Sequence, residues 1–232
     1  MFAHIMRAVV AALLVASSAA FAEQPWTFSN NTLYLSMGDS LAAGYGAIPT
    51  TQGYAYLLYQ GGTFDVTTNT IFANAAVPGT TSGDVLAHQV PQALIFQPHV
   101  ITISVGGNDL LAILNGAAPA ATLTQFQSNL SQILGGLRQA LPAARIYIHN
   151  QYDIPEITAS IPGGPQIILQ FNAIVAGVAQ AWGVGVADVF SAFEGRTGLL
   201  LIARNGAGAL EVHPTNAGYR VMATAFRVAA GH

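Results

Sequence analysis

The sequence predicts a three-layer α/β/α fold, in which a parallel sheet of about five strands is covered by helices on both sides. Two observations carry this. Five short apolar runs, most of them rich in β-branched residues, recur beside Gly, Pro, Asn or Asp, and stretches with helical spacing lie between them. The runs are also apolar on both faces, as strands enclosed between helix layers are.

In chain order the strands are expected at 33–37, 70–73, 100–105, 145–148 and 184–189. Helices are expected at 54–60, 82–95, 123–141 and 165–182, with a last one at 215–230. The run Ile161-Pro162-Gly163-Gly164-Pro165 reads as a surface loop. In open parallel sheets ligands bind beyond the carboxyl ends of the strands, so the residues following each strand are where chemistry is sought.

Residues 1–22 read as an export signal, to be cleaved before Glu23. Arg7 precedes the apolar run 8–15, and Ala20-Phe21-Ala22 offers small residues at both cleavage-determining positions. The stretch 9–21 is shorter than the ~20 apolar residues a spanning helix needs, so no stable membrane anchor is expected. Residues 23–232 then form a single domain, secreted or periplasmic, large enough to bury its core without disulfides. The chain has no cysteine, which rules out both a disulfide framework and a lipid-modified N-terminal Cys. Only 7% of its residues are charged, Lys is absent and the arginines are scattered, which excludes nucleic acid as a partner. Nothing in the sequence indicates an oligomeric state.

Four segments carry the candidate chemistry. After the first strand, Gly38-Asp39-Ser40-Leu41 sets a serine at a strand-to-helix junction, hydroxyl toward the cleft, beside the unpaired N–H groups of a helix start. After the second, Ala76-Val77-Pro78-Gly79-Thr80-Thr81-Ser82 has a Gly that lets the backbone approach a ligand, and Thr81 or Ser82 to cap the next helix. After the third, Gly106-Gly107-Asn108-Asp109 presents an amide donor suited to a tetrahedral oxyanion. Before the last helix, His213-Pro214 offers an imidazole that titrates near neutral pH, as a general base must.

In this order the four segments resemble the SGNH (GDSL) hydrolase superfamily, whose blocks supply a Ser, a Gly, an Asn and a His. The resemblance spans residues 33–226. It implies a flavodoxin-like five-stranded sheet and a two-step acyl transfer. Ser40 would attack the acyl carbon with His213 as base, while the Ser40 N–H, the Gly79 N–H and the Asn108 amide receive the oxyanion. No metal or organic cofactor is called for.

One departure concerns the acid of the triad. The family usually has Asp three residues before the His, and Leu210 stands there. Three alternatives stay open: Glu211 as orienter of His213, a backbone carbonyl serving a Ser-His dyad, or another acid such as Asp188. Asp39 and Asp109 read as turn-holding residues. His149 is a candidate to line the cleft, and Tyr45, Tyr54, Tyr56 and Tyr59 are candidates for an acyl pocket or for packing. The substrate is expected to be a small-molecule or polymer-borne ester. An esterase or lipase leads, with a carbohydrate O-acetylesterase of the same fold, or a non-catalytic glycan- or ligand-binding protein, as alternatives.

Overall fold

The computed structural model describes residues 31–65, 69–159, 162–201, 203–204 and 210–232, with the backbone alone at Leu114, Ala203, Arg204, Leu210 and Glu211. The export signal read at 1–22 lies outside them. The sheet has five parallel strands: β1 (Asn31–Gly38), β2 (Asn69–Asn74), β3 (Val100–Ser104), β4 (Arg145–His149) and β5 (Gly185–Ala187), in the order β2-β1-β3-β4-β5. Each coincides with or overlaps one of the expected runs. The chain steps outward from β1 to β2 and crosses back to β3, so the winding reverses between β1 and β3. That reversal opens a crevice at their carboxyl ends.

Strand period dictates the two faces. Leu35, Met37, Ile101, Ile103, Ile146 and Ile148 share one buried cluster with Phe126, Ile133, Phe171 and Val175. On the other face Tyr34, Val100 and Tyr147 pack with Tyr54, Leu58, Tyr219, Met222 and Phe226. The helices are α1 (Ser40–Ala43), α2 (Tyr54–Gln60), α3 (Ser82–Asp84), α4 (Val90–Phe96), α5 (Gly107–Leu114) and α6 (Pro119–Ala140), followed by α7 (Pro155–Thr158), α8 (Gly164–Ala181), α9 (Val189–Phe193) and α10 (Asn216–Ala229). Helix α6 buries Phe126, Leu130, Ile133, Leu134 and Leu137, a stripe at helical spacing that turns one side to the sheet. A two-stranded ribbon, β6 (Ala203–Arg204) with β7 (Leu210–Glu211), precedes α10.

The differences from expectation have local causes. The expected strand 184–189 is shorter, because Asp188 accepts from the Ser191 N–H and starts α9 at Val189. The expected loop at 161–165 has Ile161 outside the described residues, and its Gly163, with φ of 70°, is instead the N-cap of α8. The expected helix 82–95 is broken into α3 and α4 by a π-helical turn, Val85–Gln89. That turn rotates Gln89 into the interior, where it is 1% exposed.

Candidate active site

The site is built outward from Gly38, the last residue of β1. Its φ is 129°, and a Cβ there would lie 1.8 Å from the Ser104 carbonyl oxygen, so only Gly lets β1 and β3 end this close together. Gln89 holds it from both sides: the Gly38 N–H donates to Gln89 Oε1 at 2.6 Å, and Gln89 Nε2 donates to the Gly38 carbonyl at 2.8 Å. The same carbonyl accepts from Val77 N–H and from Thr80 Oγ1, both at 3.0 Å. The loop carrying Gly79 is thus hung from the residue two before Ser40.

Asp39 begins α1. It is buried, its N–H donates to the Ser104 carbonyl at 3.0 Å, and its Oδ1 accepts the Leu41 N–H at 3.0 Å. Gly44, in the left-handed region, closes the helix after one turn. Ser40 is therefore the first helical residue, and its N–H has no partner within the helix.

His213 arrives from the opposite side, and its Nε2 lies 2.7 Å from Ser40 Oγ. Its chain is fixed at both flanks. The Leu201 N–H donates to the His213 carbonyl at 2.7 Å, and Tyr152 Oη donates to the Val212 carbonyl at 3.1 Å. The Tyr45 ring packs on the imidazole with centroids 4.6 Å apart. Gly46 admits that packing, since a Cβ on it would stand 3.1 Å from His213 Cβ.

Asn108 lies in the first turn of α5, and its Nδ2 donates to the Thr80 carbonyl at 2.8 Å. That bond uses one of its two amide hydrogens and ties α5 to the Gly79 loop. Asp109 holds the next layer: its carboxylate accepts the Ser82 N–H at 2.9 Å and the Ser82 hydroxyl at 2.6 Å. Thr81 caps α3 in a reciprocal box with Asp84.

Ser40, Gly79, Asn108 and His213 all line one pocket of about 410 Å³. Beyond them its wall is mainly apolar, with Leu110 and Leu111 from α5, Ile154 and Ile157 around α7, and Ile168 from α8, beside the polar Asp39, Gln151 and Thr158. Tyr45 lines it too. Tyr54, by contrast, is buried and stacked on Phe226, and Tyr56 and Tyr59 pack on Phe72.

His149 does not line the cleft. It is fully buried, because its position in β4 points it to the face where Tyr147 also lies. Asp188 is committed elsewhere as well. Its carboxylate accepts from Asn150 Nδ2 at 2.8 Å and from the Ser191 N–H at 3.1 Å. Burial alone would raise its pKa, but these bonds outweigh that and hold it below the usual carboxylate value. Leu210 and Glu211 form β7, with Glu211 paired to Ala203, and the side chain of Glu211 lies outside the described residues. Gln89 and Ser104 were not foreseen as parts of the site.

The model of the GDSL-like lipase/acylhydrolase family matches residues 36–221. The chain belongs to this family. Two solved structures are 25% identical to it: TesA, with a TM-score of 0.66, and the lipase Lip_vut3 from a goat rumen metagenome, with 0.71. Each comparison covers 85% of this chain and 97% of the other. Axe2, an acetylxylan esterase from Geobacillus stearothermophilus, shares the fold at 19% identity and a TM-score of 0.67, over 87% of this chain and 94% of its own. A search of curated proteins finds no match. As a GDSL family member the chain is a hydrolase of the esterase and lipase type. Among the described residues, no helix is long and apolar enough to cross a membrane.

Proposed function

We propose that this GDSL hydrolase cleaves carboxylic esters through an acyl-enzyme on Ser40. The observation that carries the reading is the 2.7 Å contact between Ser40 Oγ and His213 Nε2 at a pocket that also holds Gly79 and Asn108. His213 takes the hydroxyl proton as Ser40 attacks the acyl carbon. The oxyanion that forms is received by the N–H groups of Ser40 and Gly79 and by the second amide hydrogen of Asn108. Collapse of the intermediate expels the alcohol, which leaves with the proton from His213. Water, deprotonated by the same base, then attacks the acyl-enzyme and releases the acid. Glu211, two residues before the base, is the proposed orienter of its imidazole. The export signal read at 1–22 supports placing this activity outside the cytoplasm.

The apolar wall of Leu110, Leu111, Ile154, Ile157 and Ile168 favours an acyl chain of several carbons over an acetyl group. A series of p-nitrophenyl esters from acetyl to palmitoyl tests this. kcat/KM is expected to rise from acetyl to a medium chain by about tenfold for each two buried methylenes, at ~0.8 kcal/mol apiece. A maximum at acetyl, with acetylated xylan turned over as readily, would replace this reading with the O-acetylesterase. Asn108→Ala removes one oxyanion donor and is expected to lower kcat by about 10^2 to 10^3 with KM little changed. An unchanged kcat excludes Asn108 from the hole.

A further inference from the structure

Behind Ser40, on the α2 and α10 side of the sheet, three buried polar side chains form a line that the proposed mechanism leaves unused. The parallel register sets Gly38 beside Ser104 and Ile103 beside Ile148, which brings the ends of β1, β3 and β4 together. Ser104 Oγ lies 2.7 Å from Asp39 Oδ1 and 2.8 Å from His149 Nε2. His149 Nδ1 lies 2.7 Å from the Asn150 carbonyl oxygen. All three residues are buried, with Ser104 and His149 at 0% exposure.

Counting protons along this line fixes its state. The Asn150 carbonyl only accepts, so His149 Nδ1 carries a hydrogen. In a neutral imidazole Nε2 is then an acceptor and needs the Ser104 hydroxyl hydrogen. Ser104 has one hydrogen, so its contact with Asp39 must be filled from the Asp39 side. With an ionised Asp39 and a neutral His149, one of the two contacts sets lone pair against lone pair at under 3 Å. One additional proton satisfies every contact.

We infer that in mildly acidic solution Asp39 is held protonated as a positioning residue, its Oδ1 hydrogen donated to Ser104, the Ser104 hydroxyl to His149 Nε2, and His149 Nδ1–H to the Asn150 carbonyl. The Leu41 N–H still donates to Asp39 Oδ1, so the cap on α1 is kept. Burial favours this arrangement over a carboxylate facing an imidazolium, because it opposes charge on both groups. It raises the Asp39 pKa to about 6 and lowers that of His149 to about 4. The other ionisable groups around Asp39 act in the same sense or are neutral: Asp109 on α5 raises it further, and Tyr54 on α2 carries no charge at neutral pH. His213 lines the same pocket across Ser40. The His149 ring meets the edge of Phe226, which is uncharged.

The consequence for catalysis rests on Ser40 being the nucleophile. A carboxylate immediately before Ser40, in a buried setting, would repel the oxyanion forming at the Ser40 N–H; the neutral carboxyl, the major form below about pH 6, keeps the turn without that cost.

The test uses the full chain labelled with 15N-histidine and 13C-aspartate. At pH 5 an ordinary Asp is ionised and an ordinary His is cationic. The expected NMR result is the reverse: a protonated Asp39 carboxyl and a neutral His149 with its hydrogen on Nδ1. An ionised Asp39 at pH 5, a cationic His149, or a hydrogen on Nε2 alone overturns the inference, and none of these readouts requires an ester substrate. In kinetics, Ser104→Ala is expected to lower kcat by about tenfold with KM within about twofold, the scale of one buried hydrogen bond. Ser104→Thr, which keeps the hydroxyl, is expected to restore most of that loss. A simple packing role predicts the opposite order, with Ala tolerated better than the larger Thr.

Discussion

Replacing Ser40 by Ala is expected to lower kcat for p-nitrophenyl esters by about 10^6-fold, the scale on which losing the nucleophile of a hydroxyl–imidazole pair acts. The size follows from the geometry. With Ser40 Oγ gone, His213 Nε2 loses its partner at 2.7 Å and no covalent intermediate forms. The Gly79 N–H, the Asn108 amide and the apolar wall remain, and such residual machinery alone still accelerates water attack by about 10^3 to 10^4 over solution. A measurable remnant is therefore compatible with the mechanism, while a rate equal to the parent protein's ends the assignment of Ser40. The variant should fold, because Ser40 is half-buried and the turn is held by Asp39, Gly38 and Gln89.

The second large effect concerns the acid. Glu211→Gln is expected to lower kcat by roughly 10^4-fold if the carboxylate orients the imidazole and stabilises its cation, because an amide in that place selects the wrong tautomer. KM should hardly move, since the substrate pocket is untouched. Wild-type turnover in this variant would assign the task to a backbone carbonyl and make the site a Ser-His dyad. Asp188→Ala serves as the control: Asp188 caps α9 and bonds Asn150, so its loss should cost stability of about 1 kcal/mol and leave kcat near the parent value.

Much of the architecture can be read from the sequence for a physical reason. Strands buried on both faces are largely apolar, and runs such as 100–105 and 145–148, with Ile at every second position, stand out for that reason. The four site segments were legible because each follows a strand or precedes the last helix. What escaped is equally explicable. Helix α1 is four residues long and exists because Asp39 caps it, a tertiary and local effect with no periodic signal. Gln89 reaches Gly38 through an extra residue in a helical turn, which a count at 3.6 residues per turn places on the wrong side. His149, at the end of a strand, is by position alone a candidate to line the cleft. Strand parity holds the correction: Thr102 and Ser104 alternate with Ile101 and Ile103, and His149 alternates with Ile148, which marks a polar stripe along one inner face. The role of Glu211 is the least legible, because two residues of spacing before a histidine fix neither the direction nor the reach of a carboxylate.

The attachments gathered on Gly38 bear on how this enzyme can change. Val77, Thr80 and Gln89 all donate to its carbonyl, so the turn bearing Ser40 and the loop bearing Gly79 shift as one piece. Ile154, Ile157 and Ile168, which shape the far wall, lie on other elements, around α7 and on α8. The piece bearing Ser40 and Gly79 and the far wall of the pocket are thus carried by separate elements of the fold. Substitutions at those three positions are therefore expected to change which acyl chains are accepted more than they change the Ser40–Gly79 geometry.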